Sequence, residues 1–75
     1  MNPMTTGVQK YQSGRSGAII TVDRRDVKHY DTFYGVNIPA YRVEIRDVDG
    51  HSVWFLTQSS IDGLATDNGW TLITA

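Results

Sequence analysis

The chain contains no cysteine, so neither disulfide bonds nor a Cys-based zinc site can hold its fold together. No apolar run approaches the ~20 residues that a membrane-spanning helix needs. The amino terminus lacks the basic and apolar regions of a secretory signal. From these absences we expect a cytoplasmic protein with no membrane partner.

Lysine and arginine are missing from the second part of the chain. All seven Lys and Arg residues lie within residues 1–46, whereas residues 47–75 hold four Asp and no base. Such asymmetry can mark a face that binds polyanions, but an ordinary solvated surface is the favoured interpretation here. At 75 residues the chain is one domain with a small core. We expect residues 1–7 to be a disordered N-terminus and residues 8–75 to form that domain.

Residues 41–56 carry the clearest structural pattern. Polar and apolar residues alternate up to Asp49-Gly50, a dipeptide typical of a type I′ turn, and a β-branched and aromatic run follows. A turn centred there pairs Ile45 with Trp54. The core face of this hairpin then holds Tyr41, Val43, Ile45, Trp54 and Leu56. The opposite face mixes charge with apolar groups and holds Arg42, Glu44, Arg46, Val53 and Phe55.

The sequence after the hairpin predicts a helix over residues 60–68. Ser59 or Ser60 would be its N-cap, with Asp62 in the capping-box position relative to Ser59, and Gly69 would end it. Residues 70–74 would form a terminal strand, with Trp70 and Leu72 towards the core and Ile73 on the opposite face.

The whole pattern predicts an α+β fold. An antiparallel sheet of three to five strands would contain the hairpin strands at about 40–47 and 51–58. A further strand at 18–23 would end at the four successive charges of residues 23–26, and residues 27–39 fit either a strand or a loop. The alternative is a small SH3-like or OB-like barrel, with residues 8–12 and 27–34 also extended.

The chain offers little for catalysis or for metal binding. Gly14-Arg15-Ser16-Gly17 lacks the spacing and the lysine of a phosphate-binding loop, and a calcium-loop alignment on Gly50 places apolar residues at ligand positions. His29 and His51 lack zinc-ligand spacing, and we expect His51 to be exposed. No cofactor or metal is therefore expected. We expect the protein not to be an enzyme; a weak activity dependent on His29 is the alternative.

Residues 24–34 form the best candidate for an interaction site. They interleave basic residues, which neutralise phosphates, with aromatic residues, which stack on bases and anchor protein interfaces. The aromatics could instead fold back over the core. Candidate binding residues are Arg24, Arg25, Lys28, His29, Tyr30, Phe33 and Tyr34, with Arg42 and Arg46 from the hairpin.

A non-catalytic protein-binding module is the leading functional hypothesis, comparable with the small adaptors and inhibitors that phages and plasmids encode. One alternative is a domain that binds single-stranded nucleic acid. Another is a structural subunit or homodimer without a ligand. The homodimer would form through an edge strand or through the face that carries Val53 and Phe55.

Overall fold

The structure is a computed structural model that describes residues 7–31 and 33–74. It consists of five strands and one helix, which confirms the predicted α+β fold. In chain order the elements are β1 (Val8–Ser13), β2 (Ile19–Asp31), β3 (Asn37–Asp47), β4 (Gly50–Thr57), α1 (Gln58–Asn68) and β5 (Trp70–Thr74).

All five strands lie in one antiparallel sheet, in the order β4-β3-β2-β1-β5. The sheet is open, because β4 and β5 lie at opposite edges and do not pair with each other. The alternative of a closed SH3-like or OB-like barrel is therefore wrong. Helix α1 follows the edge strand β4 and leads to β5 at the other edge.

The core lies between α1 and one face of the sheet. Ile61 of the helix packs against the fully buried side chains of Ile20, Val22 and Val43. Around this cluster lie the partly buried side chains of Tyr11, Tyr41, Ile45, Leu56 and Trp70. The position of Trp70 confirms the prediction for that residue.

Two residues expected in the core are only half covered. Trp54 and Leu72 are 55% and 49% exposed, so the prediction that they are core residues is wrong. Both lie on edge strands, where no further strand covers the outer side of the residue. Ile73 is 50% exposed.

The turn between β3 and β4 differs from the predicted one. Asp47 pairs with Gly50, so Val48 and Asp49 form the two-residue loop, and none of these residues has positive φ. The predicted type I′ turn at Asp49-Gly50 is therefore wrong. The register is displaced by two residues, so that Val43 rather than Ile45 faces Trp54. Because side chains alternate with a period of two, the displacement leaves both predicted faces intact.

Helix α1 begins two residues earlier than predicted. Its N-cap is Thr57, whose side chain accepts a hydrogen bond from the Ser60 amide, so neither Ser59 nor Ser60 caps the helix. Asp62 is correspondingly not in a capping box, and accepts a hydrogen bond from the Gln58 side chain. The predicted end is confirmed: Gly69 is left-handed, with φ 62°.

The structure bears only in part on the expectations about the N-terminus and the membrane. The disorder expected for residues 1–7 falls on positions that, except for Gly7, lie outside the described residues. The Gly7 carbonyl accepts a hydrogen bond from the Arg24 amide. The helix found in the described part of the chain is neither long nor apolar enough to cross a membrane.

Candidate functional site

The hairpin of β2 and β3 extends beyond the rest of the sheet. β1 pairs with β2 only as far as Asp23, and β4 pairs with β3 only from Ala40 onward. Past these points β2 and β3 pair only with each other, as far as Asp31 and Asn37. We call residues 27–40 the arm. The sequence left residues 27–39 open between strand and loop, and the structure describes strands up to Asp31 and from Asn37, with a turn at residues 33–34.

A bulge in β2 separates the arm from the main sheet. The pairing with β3 shifts between Asp23 and Val27, so residues 24–26 have no partner on β3. A bulge of this kind bends a strand and increases its local twist. The sequence predicted that the strand ends at these charged residues, which is wrong, because the bulge accommodates them and β2 continues to Asp31.

Arg24 is half-buried at the bulge of β2 and contacts three other elements, β1, α1 and β3. Its guanidinium donates hydrogen bonds to the side-chain carbonyls of Gln9 (3.1 Å) and Gln58 (2.6 Å). It also lies over the Tyr41 ring, with Cζ 5.4 Å from the ring centroid. Arg24 was predicted to bind a partner, but these contacts give it a structural role at the base of the arm.

Arg25 is exposed and forms a two-point ion pair with Asp23. Its Nε lies 3.0 Å from Oδ1 and its Nη2 lies 3.1 Å from Oδ2. These hydrogen bonds, together with one from the Arg25 amide, lower the pKa of Asp23. The charge of Arg25 is therefore largely matched within the chain.

Arg42 and Arg46 lie on the sheet face opposite the helix, on either side of Glu44. Glu44 lies 3.2 Å from Arg46 and 3.6 Å from Arg42, and its carboxylate also contacts the His51 ring. Arg42 is in addition 3.9 Å from Asp26. The hydrogen bond from Arg46 is the largest cause that lowers the pKa of Glu44, and the hydrogen bond from His51 lowers it further. Both arginines thus face acidic groups of the same chain.

Lys28 connects the arm to the open face of the sheet. Its Nζ lies 4.4 Å from the centroid of the Phe55 ring on β4. Phe55 is half-buried, whereas Val53, two residues away on the same face, is 40% exposed. The sheet face that carries Val53 and Phe55 is therefore only partly covered.

The end of the arm exposes a group of large apolar side chains. Phe33 is 95% exposed and Tyr34 is 86% exposed, and their rings meet edge to face with centroids 5.3 Å apart. Tyr30 and Val36 are 50% and 55% exposed. We call Tyr30, Phe33, Tyr34 and Val36 the tip. None of the tip residues belongs to the core cluster, so the interpretation that these aromatics fold back over the core is wrong.

His29 and Asp31 lie in the arm beside the tip. His29 is exposed, and across residues 7–31 and 33–74 no side chain forms a hydrogen bond with its ring. Asp31 accepts a hydrogen bond from the Asn37 side chain. His51 is exposed as predicted. In the described part of the chain no three His, Asp or Glu residues come together as metal ligands would.

A small cavity lies between the end of α1 and the sheet. Its volume is about 110 Å³, and Ile20, Leu64 and Trp70 contribute to its wall. Pockets for small-molecule ligands are usually ~300–1,000 Å³. The cavity is therefore suited to little more than a small apolar group.

Sequence reasoning identified most of the tip but missed Val36. Val36 is separated from the other tip residues by Gly35, whose positive φ of 77° turns the chain back towards β3. A glycine followed by a β-branched residue close to exposed aromatics was the available signal. The exposure of Trp54 was also not predicted, because the sequence does not reveal which strand forms the edge of the sheet.

Comparison of the chain with protein-family models, with curated proteins and with solved structures finds no match in any of the three.

Proposed function

We propose that the protein is a non-catalytic protein-binding module that holds its partner through the tip of the arm. The observation that carries this proposal is the exposure of Phe33 and Tyr34, at 95% and 86%, at the end of a two-stranded projection. Large aromatic side chains are enriched in the centres of protein interfaces and contribute much of their binding energy. A projecting tip of this kind suits a small adaptor or inhibitor.

The geometry of the tip favours a concave apolar site on the partner. Phe33 and Tyr34 support each other through their edge-to-face contact, so less side-chain freedom is lost on binding. Tyr30 and Val36 can add apolar contact area around them. The Tyr hydroxyl groups can hydrogen-bond at the rim of such a site.

The charges around the arm favour protein over nucleic acid. Arg25, Arg42 and Arg46 face acidic groups of the same chain, so fewer positive charges remain to neutralise phosphates. Asp31 lies close to the tip and would repel a phosphate backbone. Lys28 and His29 are the basic residues nearest the tip.

The proposal is tested by replacing Phe33 and Tyr34 together with Ser and capturing partners from lysate of the native host. We expect the wild-type chain to retain a defined protein that the double variant loses. The matched control is Val48→Ser, because Val48 is 95% exposed in the loop between β3 and β4. Equal capture by the double variant and the wild type would remove the tip as the binding site.

Nucleic-acid binding is distinguished by its dependence on salt. Binding of single-stranded oligonucleotides through phosphate contacts falls steeply as salt rises. For the proposed function we expect no such binding at low salt. Tight, salt-sensitive binding that the Phe33 and Tyr34 substitutions abolish would replace the protein-binding proposal.

A further inference from the structure

Strand β4 forms an edge of the sheet over eight residues. It pairs with β3 along its whole length, from Gly50 opposite Asp47 to Thr57 opposite Ala40, without a bulge. No other described strand lies on its outer side. The backbone groups on that side are therefore available to another strand.

β4 lacks the features by which edge strands usually prevent pairing with other chains. It contains no proline, lysine, arginine, aspartate or glutamate. The opposite edge, β5, is shorter, and its pairing with β1 is irregular between Lys10 and Tyr11. The two edges thus differ, and β4 is the more regular template.

The register of the hairpin determines which groups of β4 point outward. Since Asp47 and Gly50 close the two-residue loop, they form a hydrogen-bonded pair, and such pairs alternate along the ladder. Val53 and Phe55 lie opposite β3 in the non-hydrogen-bonded positions. Their backbone N–H and C=O groups therefore point away from β3, towards the free edge.

We propose that β4 pairs in antiparallel fashion with β4 of a second copy, so that two sheets join into one of ten strands. The register that uses the outward groups of the strand most fully is centred on Trp54. In it, Trp54 lies opposite the partner's Trp54, and Val53 lies opposite the partner's Phe55. This association does not involve the tip and is independent of the proposed function.

The residue pattern of β4 fits a second copy of itself. Its apolar residues 53–56 lie between polar residues at 51–52 and at 57. An antiparallel partner of the same sequence runs in the reverse direction, so residues 53–55 of the two copies lie opposite one another and Leu56 lies opposite the partner's Ser52. Trp54 and Val53 are 55% and 40% exposed and would become covered. Because β4 carries no acidic residue, lysine or arginine, no such charges are placed opposite one another.

Proline at position 53 tests the pairing directly. The Val53 amide does not bond to β3, so Val53→Pro leaves the hairpin ladder intact but removes an outward donor and places a ring at the new interface. The matched control is Val53→Thr, which keeps a β-branched residue and the amide. By sedimentation equilibrium over a dilution series we expect dimers for the wild type and Val53→Thr, and monomers for Val53→Pro.

Hydrogen exchange provides a readout that does not depend on the variant folding. In the wild type, the amides of Val53 and Phe55 should exchange slowly at high protein concentration and faster on dilution. A wild type that stays monomeric, or outward amides that exchange rapidly at every concentration, would overturn the proposal. A Val53→Pro chain that dimerises as well as the wild type would also overturn it.

Discussion

Lys28 and Phe55 join the arm to the edge strand of the sheet, with Lys28 Nζ 4.4 Å from the centroid of the Phe55 ring. Lys28 belongs to β2 and Phe55 to β4, so the contact crosses β3. The residue of β3 that pairs with Lys28 is Ala40, which is fully buried. Its small side chain leaves room for Lys28 to reach the ring. This contact braces the base of the arm against the sheet.

Removing the charge of Lys28 should therefore lower stability. For Lys28→Met, which keeps the apolar stem, we expect a loss of about 0.5–1 kcal/mol in the free energy of unfolding, as for an exposed cation–π contact. Urea denaturation measures this difference. Lys10→Met is the control, because it removes the same charge from β1, where Lys10 makes no side-chain ion pair with the described residues. Equal effects of the two substitutions would argue against the cation–π contact.

Replacement of Arg24 should destabilise the protein more than replacement of Arg25. Arg24→Met removes both guanidinium hydrogen bonds, to Gln9 and Gln58, and we expect a loss of about 1–2 kcal/mol. Arg25→Met removes only an exposed ion pair to Asp23, so its effect should be small. Denaturant unfolding of both variants tests the ranking. The reverse ranking would show that Arg24 does not hold the base of the arm.

The two faces of the β3–β4 hairpin were predictable, because a register displaced by an even number of residues leaves every side chain on the same face. Tyr41, Val43 and Leu56 face the helix although the predicted register was displaced by two residues. The turn itself was not predictable from the Asp-Gly dipeptide. The Asp47 carboxylate accepts a hydrogen bond from the Val48 amide at 2.7 Å, which supports a turn one residue earlier.

The sequence predicted which segment holds the candidate site, but not which of its residues support the fold and which are exposed at the tip. Interleaved bases and aromatics in residues 24–34 drew attention to the right stretch of chain. The difference between their structural and exposed positions depends on the bulge, which directs Arg24 towards the helix and leaves Phe33 and Tyr34 at the tip. The bulge arises from pairing between distant strands, and local sequence contains no clear signal for it.

Acid should weaken the fold through Glu44. Its pKa lies below the ordinary value of 4.5 because of the hydrogen bonds from Arg46 and His51. A lowered carboxyl pKa contributes stability that is present above the ordinary value and is lost as the pH falls through the folded-state pKa. We expect the free energy of unfolding to decrease below about pH 4.5. In Glu44→Gln this decrease should be smaller, as measured by urea denaturation across a pH series.

The control for Glu44 is Asp49→Asn, which removes a carboxylate from the exposed β3–β4 loop. It should leave the acid dependence close to that of the wild type, and Asp23 should account for part of what remains in Glu44→Gln. An unchanged acid dependence in Glu44→Gln would show that the contacts of Glu44 are not maintained in solution.

Two glycines of the helical region should respond in opposite directions to alanine. Gly63 lies inside α1, and a Cβ there meets nothing within 4 Å, so Gly63→Ala should stabilise the protein by up to ~1 kcal/mol. Gly69 ends the helix at φ 62° and ψ 49°, so Gly69→Ala should cost about 1–2 kcal/mol. Thermal and urea unfolding of both variants measures the two signs. Stabilisation by Gly69→Ala would mean that the chain does not adopt the left-handed C-cap that directs it into β5.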